Sequence, residues 1–227
     1  MLANIKWILT DIEGTTTDVA FVYDVLFPYF RTHLGAWKNV DSIEMNEVLS
    51  ETQRLVSEEI GATGLSREML FNQLLAWSLE DRKVTPLKQL QGMVWKTGFE
   101  SGALKGHVYP DVLPSLQRWK SLGINVAIFS SGSIAAQKQL FGYSVDGDLT
   151  SFFSDYFDTT TGMKREVETY LKIADKLNCP AVQMLFLSDI PQELEAAKAA
   201  GMDTLQLLRP GTMQSWPTCV SNFNEIK

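Results

Sequence analysis

Four short polar clusters in this 227-residue chain have residue types and spacing that could do chemistry. The first is Asp11-Ile12-Glu13, followed by Gly14 and three threonines. Residues i and i+2 leaving a strand can point to the same side, so the two carboxylates converge. Crowded carboxylates repel one another unless a cation holds them, and hard oxygen donors suit Mg2+. The same residues also read as a solvated turn. The second cluster is Ser130-Ser131-Gly132-Ser133, whose hydroxyls and glycine precede a helical pattern. Amide N–H groups at a helix N-terminus and the helix dipole favour an anion there, although an N-cap in a flexible turn has the same composition. The third is Lys164 in Gly162-Met163-Lys164-Arg165-Glu166. This cation could neutralise a phosphoryl oxygen together with an attacking carboxylate, with Arg165 as its rival; most lysines are simply solvated. The fourth is Ser188-Asp189, which offers either a third metal ligand or an ordinary cap for the helix starting at Pro191. Singly none of the four is decisive, but their joint order is.

Whether they meet depends on the elements between them. Ile5 to Thr10 reads as a buried strand running straight into Asp11. From about Val19 to Gly102 the pattern is helical without a convincing strand. Helices are expected over Ser42–Ile60, capped by Ser42 and stopped by Gly61, over Ser66–Lys83, and over Pro86–Phe99. After His107 the rhythm alternates. The expected helices are Asp111–Leu122, Ser133–Phe141, Glu166–Leu177 and Pro191–Ala200, and the expected strands Ile124–Phe129, Val182–Leu187 and a final Leu205–Leu208. Such alternation specifies an α/β fold, a Rossmann-like parallel sheet core with helices on both faces. The core takes residues 1–18 and 103–227, and residues 19–102 form an inserted all-helical cap. Ligands of such sheets bind outside the carboxyl ends of the strands, where three of the four clusters lie.

Composition narrows the partners. With 20 Lys and Arg against 27 Asp and Glu, the net charge of −7 repels nucleic acid, and no basic run offers a local exception. One or two placed cations would still hold a compact phosphorylated metabolite. Cys179 and Cys219, the only cysteines, lack metal-ligand spacing and read as reduced thiols. No apolar run approaches the roughly 18 residues of a membrane span, and a cytoplasmic monomer is the expected state.

The order D-x-E-G-T, S-S-G after a strand, a lone Lys, and S-D after a strand resembles the signature of haloacid dehalogenase-like phosphatases. Within them, Asp11–Thr16, Asp24-Val25-Leu26-Phe27-Pro28-Tyr29, Leu104–Asp111, Ser130–Ser133 and Phe157-Asp158-Thr159-Thr160 resemble the acireductone synthase family, the bifunctional enolase-phosphatases of methionine salvage. The resemblance covers essentially the whole chain. It implies conversion of 2,3-diketo-5-methylthiopentyl-1-phosphate, through its enol phosphate, to acireductone and phosphate. By the same resemblance Asp11 is the phosphorylated nucleophile, Glu13 and Lys164 are catalytic, and Ser130, Ser131, Gly132 and Lys164 hold the substrate. One Mg2+ per subunit is implied on Asp11, Asp189 and Glu13, the last by side chain or backbone carbonyl. Two departures stand out: Glu13 replaces the Asp of most of the superfamily, and Tyr23 stands where a basic residue is expected. The base for enolisation stays open between Glu13 and a cap residue, while His107 reads as a structural hydrogen-bonding residue. Another small phosphate ester, or a non-catalytic binding role on the same fold, remains the competing reading.

Overall fold

A computed structural model describes residues 2–227. In chain order the elements are β1 (Trp7–Thr10), α1 (Phe27–His33), α2 (Ile43–Ile60), α3 (Arg67–Leu79), α4 (Thr85–Glu100), α5 (Val112–Ser121), β2 (Asn125–Phe129), α6 (Ile134–Gly142), β3 (Asp155–Phe157), α7 (Val167–Lys176), β4 (Met184–Ser188), α8 (Pro191–Ala199), β5 (Asp203–Leu207) and β6 (Cys219–Val220). The chain divides into two compact units, Met1–Phe21 with Lys105–Lys227, and Val22–Leu104.

The first unit is built on one six-stranded sheet, ordered β3-β2-β1-β4-β5-β6, with every pair parallel. Its connections run one way from β1 through β2 to β3, then the other way through β4 to β5. Right-handed crossovers therefore put α5 and α6 on one face and α7 and α8 on the other. Side chains alternate along each strand. Leu9, Ala127, Phe129, Met184 and Phe186 build one core with Tyr170 and Ile173 of α7 and Leu194 of α8. Their neighbours Ile8, Val126, Ile128, Leu185 and Leu187 are buried on the opposite face. Burial on both faces explains why these strands read as unbroken apolar runs. The connections reverse direction between β1 and β4, opening a crevice beyond the ends of these two strands. Asp11 and Asp189 are the residues that follow them.

The second unit is helical throughout. Ser42 and Ser66 accept hydrogen bonds from the Met45 and Met69 amides and so cap α2 and α3, and Gly61 closes α2 at φ +70°. Phe30, Val48, Leu74, Trp77, Leu90 and Val94 are buried in its core.

Several expected boundaries are corrected. Helix α3 stops at Leu79 rather than Lys83: Asp81 takes φ +53°, and the Asp81 and Arg82 amides donate back to the Ser78 and Trp77 carbonyls. That is a Schellman closure built on a residue other than glycine, which composition does not reveal. Leu205–Leu208 is not the last strand, because β5 spans Asp203–Leu207 and β6 follows it. Strands β3 and β6 have three and two residues, too few for a periodic signal. The segment from Phe21 to Trp37, given no element from sequence, is π-helical, then α-helical, then 3-10.

Candidate active site

Strand β1 fixes Asp11 through its backbone: the ladder to β4 continues as the Asp11 amide donates to the Leu187 carbonyl at 2.9 Å. The chain then folds sharply, and the amides of Thr15, Thr16 and Thr17 all donate to the Ile12 carbonyl, at 3.1, 2.9 and 2.9 Å. The three threonines are buried, so this is not a solvated turn. Gly14 sits at φ +71°, and a Cβ there would lie 2.4 Å from Oδ2 of Asp189. Only glycine allows this loop to close so tightly onto the end of β4.

Lys164 meets Asp11 directly. Its Nζ lies 2.6 Å from Oδ1 of Asp11 and 2.7 Å from Oε2 of Glu193, and its side chain is 7% exposed. The Tyr170 hydroxyl donates to its carbonyl at 2.6 Å and holds this stretch of backbone. Burial alone would lower the Lys164 pKa, but the carboxylates of Asp11 and Glu193 outweigh it and raise the pKa. Arg165, the rival cation, is exposed.

Glu193 was not singled out from sequence. It is an acidic residue in the first turn of α8, where glutamate is common as a helix-capping residue. Instead it turns inward, accepting 2.9 Å from the Ser188 hydroxyl, whose oxygen in turn accepts from the Ile190 amide at 3.1 Å. Burial, and then the charge of Asp11, push its carboxyl up to about 7. Burial and Asp11 likewise push Asp189 up to about 6. One ammonium thus faces two carboxylates with a third nearby, and the surplus negative charge is what a bound cation would relieve.

The residues fit such a cation. Oδ1 of Asp189 is buried with no hydrogen-bond partner in the protein, a loss of about 1–3 kcal/mol unless a ligand meets it. All the donors are hard oxygens. Among the described residues, however, no three His, Cys, Asp or Glu side chains gather to hold a metal. The Glu13 side chain is exposed, so Asp11, Glu13 and Asp189 do not form a carboxylate triad. Two carboxylates, a backbone carbonyl and water suit Mg2+, which keeps several waters.

At the end of β2 the Ser130 turn is more occupied than a bare helix N-terminus. The Gly132 amide donates to the Ser130 hydroxyl at 3.2 Å, the Ile134 amide to Asp158 at 3.2 Å, and the Ala136 amide to the Ser133 hydroxyl at 3.3 Å. The side-chain amide of Gln137 bridges the carbonyls of Gly132 and Phe157. Three amides of this turn are thus met by side chains of the protein itself, and Ser131 is exposed at its tip. Residue pairing of β1 with β2 puts this turn at the same sheet edge as Asp11. His107 accepts a hydrogen bond at Nδ1 from the Asp18 amide at 3.1 Å. Burial pushes its pKa down, and because Nδ1 accepts, the neutral ring carries its hydrogen on Nε2. A cavity of about 520 Å3 opens beside Gly14 and Asp189, walled also by Tyr109 and by Arg209–Ser215.

A buried carboxylate gripped by lysine at a sheet edge, next to a rigid hydroxyl turn and an under-satisfied second carboxylate, can attack phosphorus and stabilise the charge that moves. The family described as haloacid dehalogenase-like hydrolase matches residues 5–201. The chain is 52% identical over 224 residues to the enolase-phosphatase E1 of Pseudomonas aeruginosa strain LESB58, covering 98% of each chain. It is 49% identical over 223 residues to that of Azotobacter vinelandii, covering 98% of this chain and 97% of the other. Among solved structures, the UTR4 protein of Saccharomyces cerevisiae superposes with a TM-score of 0.81 at 35% identity, covering 96% of this chain and 98% of that one.

Proposed function

The chain belongs to the haloacid dehalogenase-like hydrolases, and from that membership we propose that it is an enolase-phosphatase of methionine salvage with Asp11 as nucleophile. It converts 2,3-diketo-5-methylthiopentyl-1-phosphate through the enol phosphate to acireductone and phosphate. The observation that carries the residue assignment is the contact of Lys164 with both Asp11 and Glu193.

Asp11 attacks phosphorus, forming an acyl phosphate as the bond to the enol oxygen breaks, and water then hydrolyses that intermediate to regenerate the carboxylate. Phosphoryl transfer has a loose transition state, so orientation and charge stabilisation supply most of the acceleration. Lys164 holds Oδ1 of Asp11 in place and lies beside the oxygens that gain charge. Ser130, Ser131 and Gly132, with Lys164, receive the phosphoryl group. Glu13, exposed to solvent, serves proton exchange on the leaving oxygen and on water. Asp11, Asp189 and the Glu13 carbonyl would hold one Mg2+ per subunit, which would supply positive charge that lets a carboxylate approach a phosphate.

The test is Asp11→Asn, assayed for phosphate release and for the enolised product separately. The variant should fold normally and lose roughly 10^3-fold or more in phosphate release, as removal of a nucleophile does. Substantial residual release would sink the assignment. With the wild-type enzyme, EDTA should stop turnover and Mg2+ restore it. Phosphate released without acireductone would point instead to a simple phosphatase for another ester.

A further inference from the structure

A second ion pair lies in the same unit and touches none of these groups. Arg209 is buried, and its two terminal nitrogens donate to both oxygens of Asp111, each at 2.8 Å. Its Nε donates to the Thr15 carbonyl at 2.9 Å, and its Cζ lies 4.1 Å from the centre of the Tyr109 ring, over its face. Asp111 also accepts from the Phe223 amide at 2.7 Å. The rest of the loop is gripped from the same side. The Thr16 carbonyl accepts from the Tyr109 amide at 2.9 Å, the Thr17 hydroxyl donates to the His107 carbonyl at 2.7 Å, and the Asp18 amide meets the His107 ring. Four consecutive residues of the loop that follows Asp11 are therefore held by His107, Tyr109 and Arg209.

Arg209 lines the cavity beside Asp189, and a cation there invites assignment to the substrate phosphate. Its charge is already met by a bidentate carboxylate, which argues against that role. Stability is a poor reason for the pair as well, since buried ion pairs can often be replaced by apolar groups without loss. What the pair does that an apolar group could not is hold one carbonyl at a set place. We propose that Arg209, anchored by Asp111, is a positioning residue that fixes the Thr15 carbonyl and thereby the seating of the Asp11–Asp18 loop, with Gly14 against Asp189. The inference rests on Asp11 being the nucleophile. Lysine cannot substitute, because one ammonium cannot span a bidentate carboxylate and a carbonyl while stacking on tyrosine.

The experiment compares wild type, Arg209→Lys, Arg209→Ala and Asp111→Asn in the full-length chain. Steady-state phosphate release is measured alongside amide hydrogen exchange. Arg209→Lys should lower kcat about 10- to 100-fold, the scale on which small misplacements act, and leave KM little changed. Exchange should quicken in the peptide covering residues 12–18 and stay unchanged in β1, β2 and β4. The cavity gives small ions a route to the vacated space, so millimolar guanidinium should restore part of the kcat of Arg209→Ala and ammonium should not. Should either Arg209 variant fail to fold, Asp111→Asn carries the same comparison with the arginine retained. Wild-type kcat in these variants, or exchange rising equally in loop and strands, overturns the proposal. If wild type itself releases no phosphate, the functional reading fails, while the exchange of residues 12–18 still decides whether the brace exists.

Discussion

Burial beside Asp11 makes two neighbouring carboxylates hold their protons more tightly. Glu193 is pushed up to about 7 and Asp189 to about 6 in the metal-free fold, chiefly by burial and then by Asp11. Both values lie above those of an unfolded chain, so the folded state binds more protons. Their contribution to stability is fully present below about pH 4 and is lost as pH rises through about 6 and 7. In EDTA the melting temperature should therefore fall across this window, more gently in Glu193→Gln. Added Mg2+ should raise it more at pH 8 than at pH 5, because the ligands must be ionised to bind. Equal metal shifts at both pH values would contradict the ligand set. Asp11, Lys164 and Asp189 were legible in the sequence because each stands at a strand end or just before a helix, in a recognisable order. Glu193 was not, since a glutamate in a first helical turn is ordinary. Nor was Arg209, whose partner Asp111 is 98 residues away.

Among the elements, the turn after β1 has the least freedom. Gly14→Ala would place a methyl on an Asp189 oxygen and force a left-handed backbone that costs an alanine about 1–2 kcal/mol. Activity should fall by more than that stability loss explains, because Asp189 must move; wild-type kcat in a folded Gly14→Ala would refute the close approach. Gly106 shows a second close approach, since a Cβ there would lie 2.0 Å from the Leu140 carbonyl oxygen at the end of α6. Gly106→Ala should lower the melting temperature by displacing His107 and its neighbours from α6. Helices were read well from sequence where serine caps and glycine stops agree with periodicity, as in α2. They were misread where Asp81 adopts the conformation usually left to glycine. Strands buried on both faces declared themselves by apolar runs, and the two- and three-residue strands at the sheet edges had no such run.

At the scale of the molecule, residues 22–104 enter and leave the first unit between neighbouring points. Phe21, at one end, has its ring 6.3 Å from that of His107, near the other. A short Gly/Ser linker of about six residues, reaching roughly 13 Å on average, is enough to close that gap. Replacing residues 22–104 by such a linker should leave the parallel sheet folded, judged by circular dichroism and by amide protection of β1, β2 and β4. It should retain Mg2+-stimulated hydrolysis of p-nitrophenyl phosphate and lose selectivity for the diketone substrate. Collapse of the sheet would show that the first unit cannot stand alone.

The placement of β1 at the middle of the sheet has a consequence for how the chain is made. Of the six strands, the one that runs into Asp11 is made before the others, yet its two neighbours are residues 125–129 and 184–188. At ordinary translation rates the second neighbour follows on the order of ten seconds or more later. Throughout that time Trp7-Ile8-Leu9-Thr10 is an apolar strand with at least one bare edge, the kind of segment that pairs with other chains. The helical unit of residues 22–104, with a core of its own, can form during the wait. Nascent-chain aggregation should therefore respond to pauses late in synthesis, before β4 emerges, more than to pauses near the start.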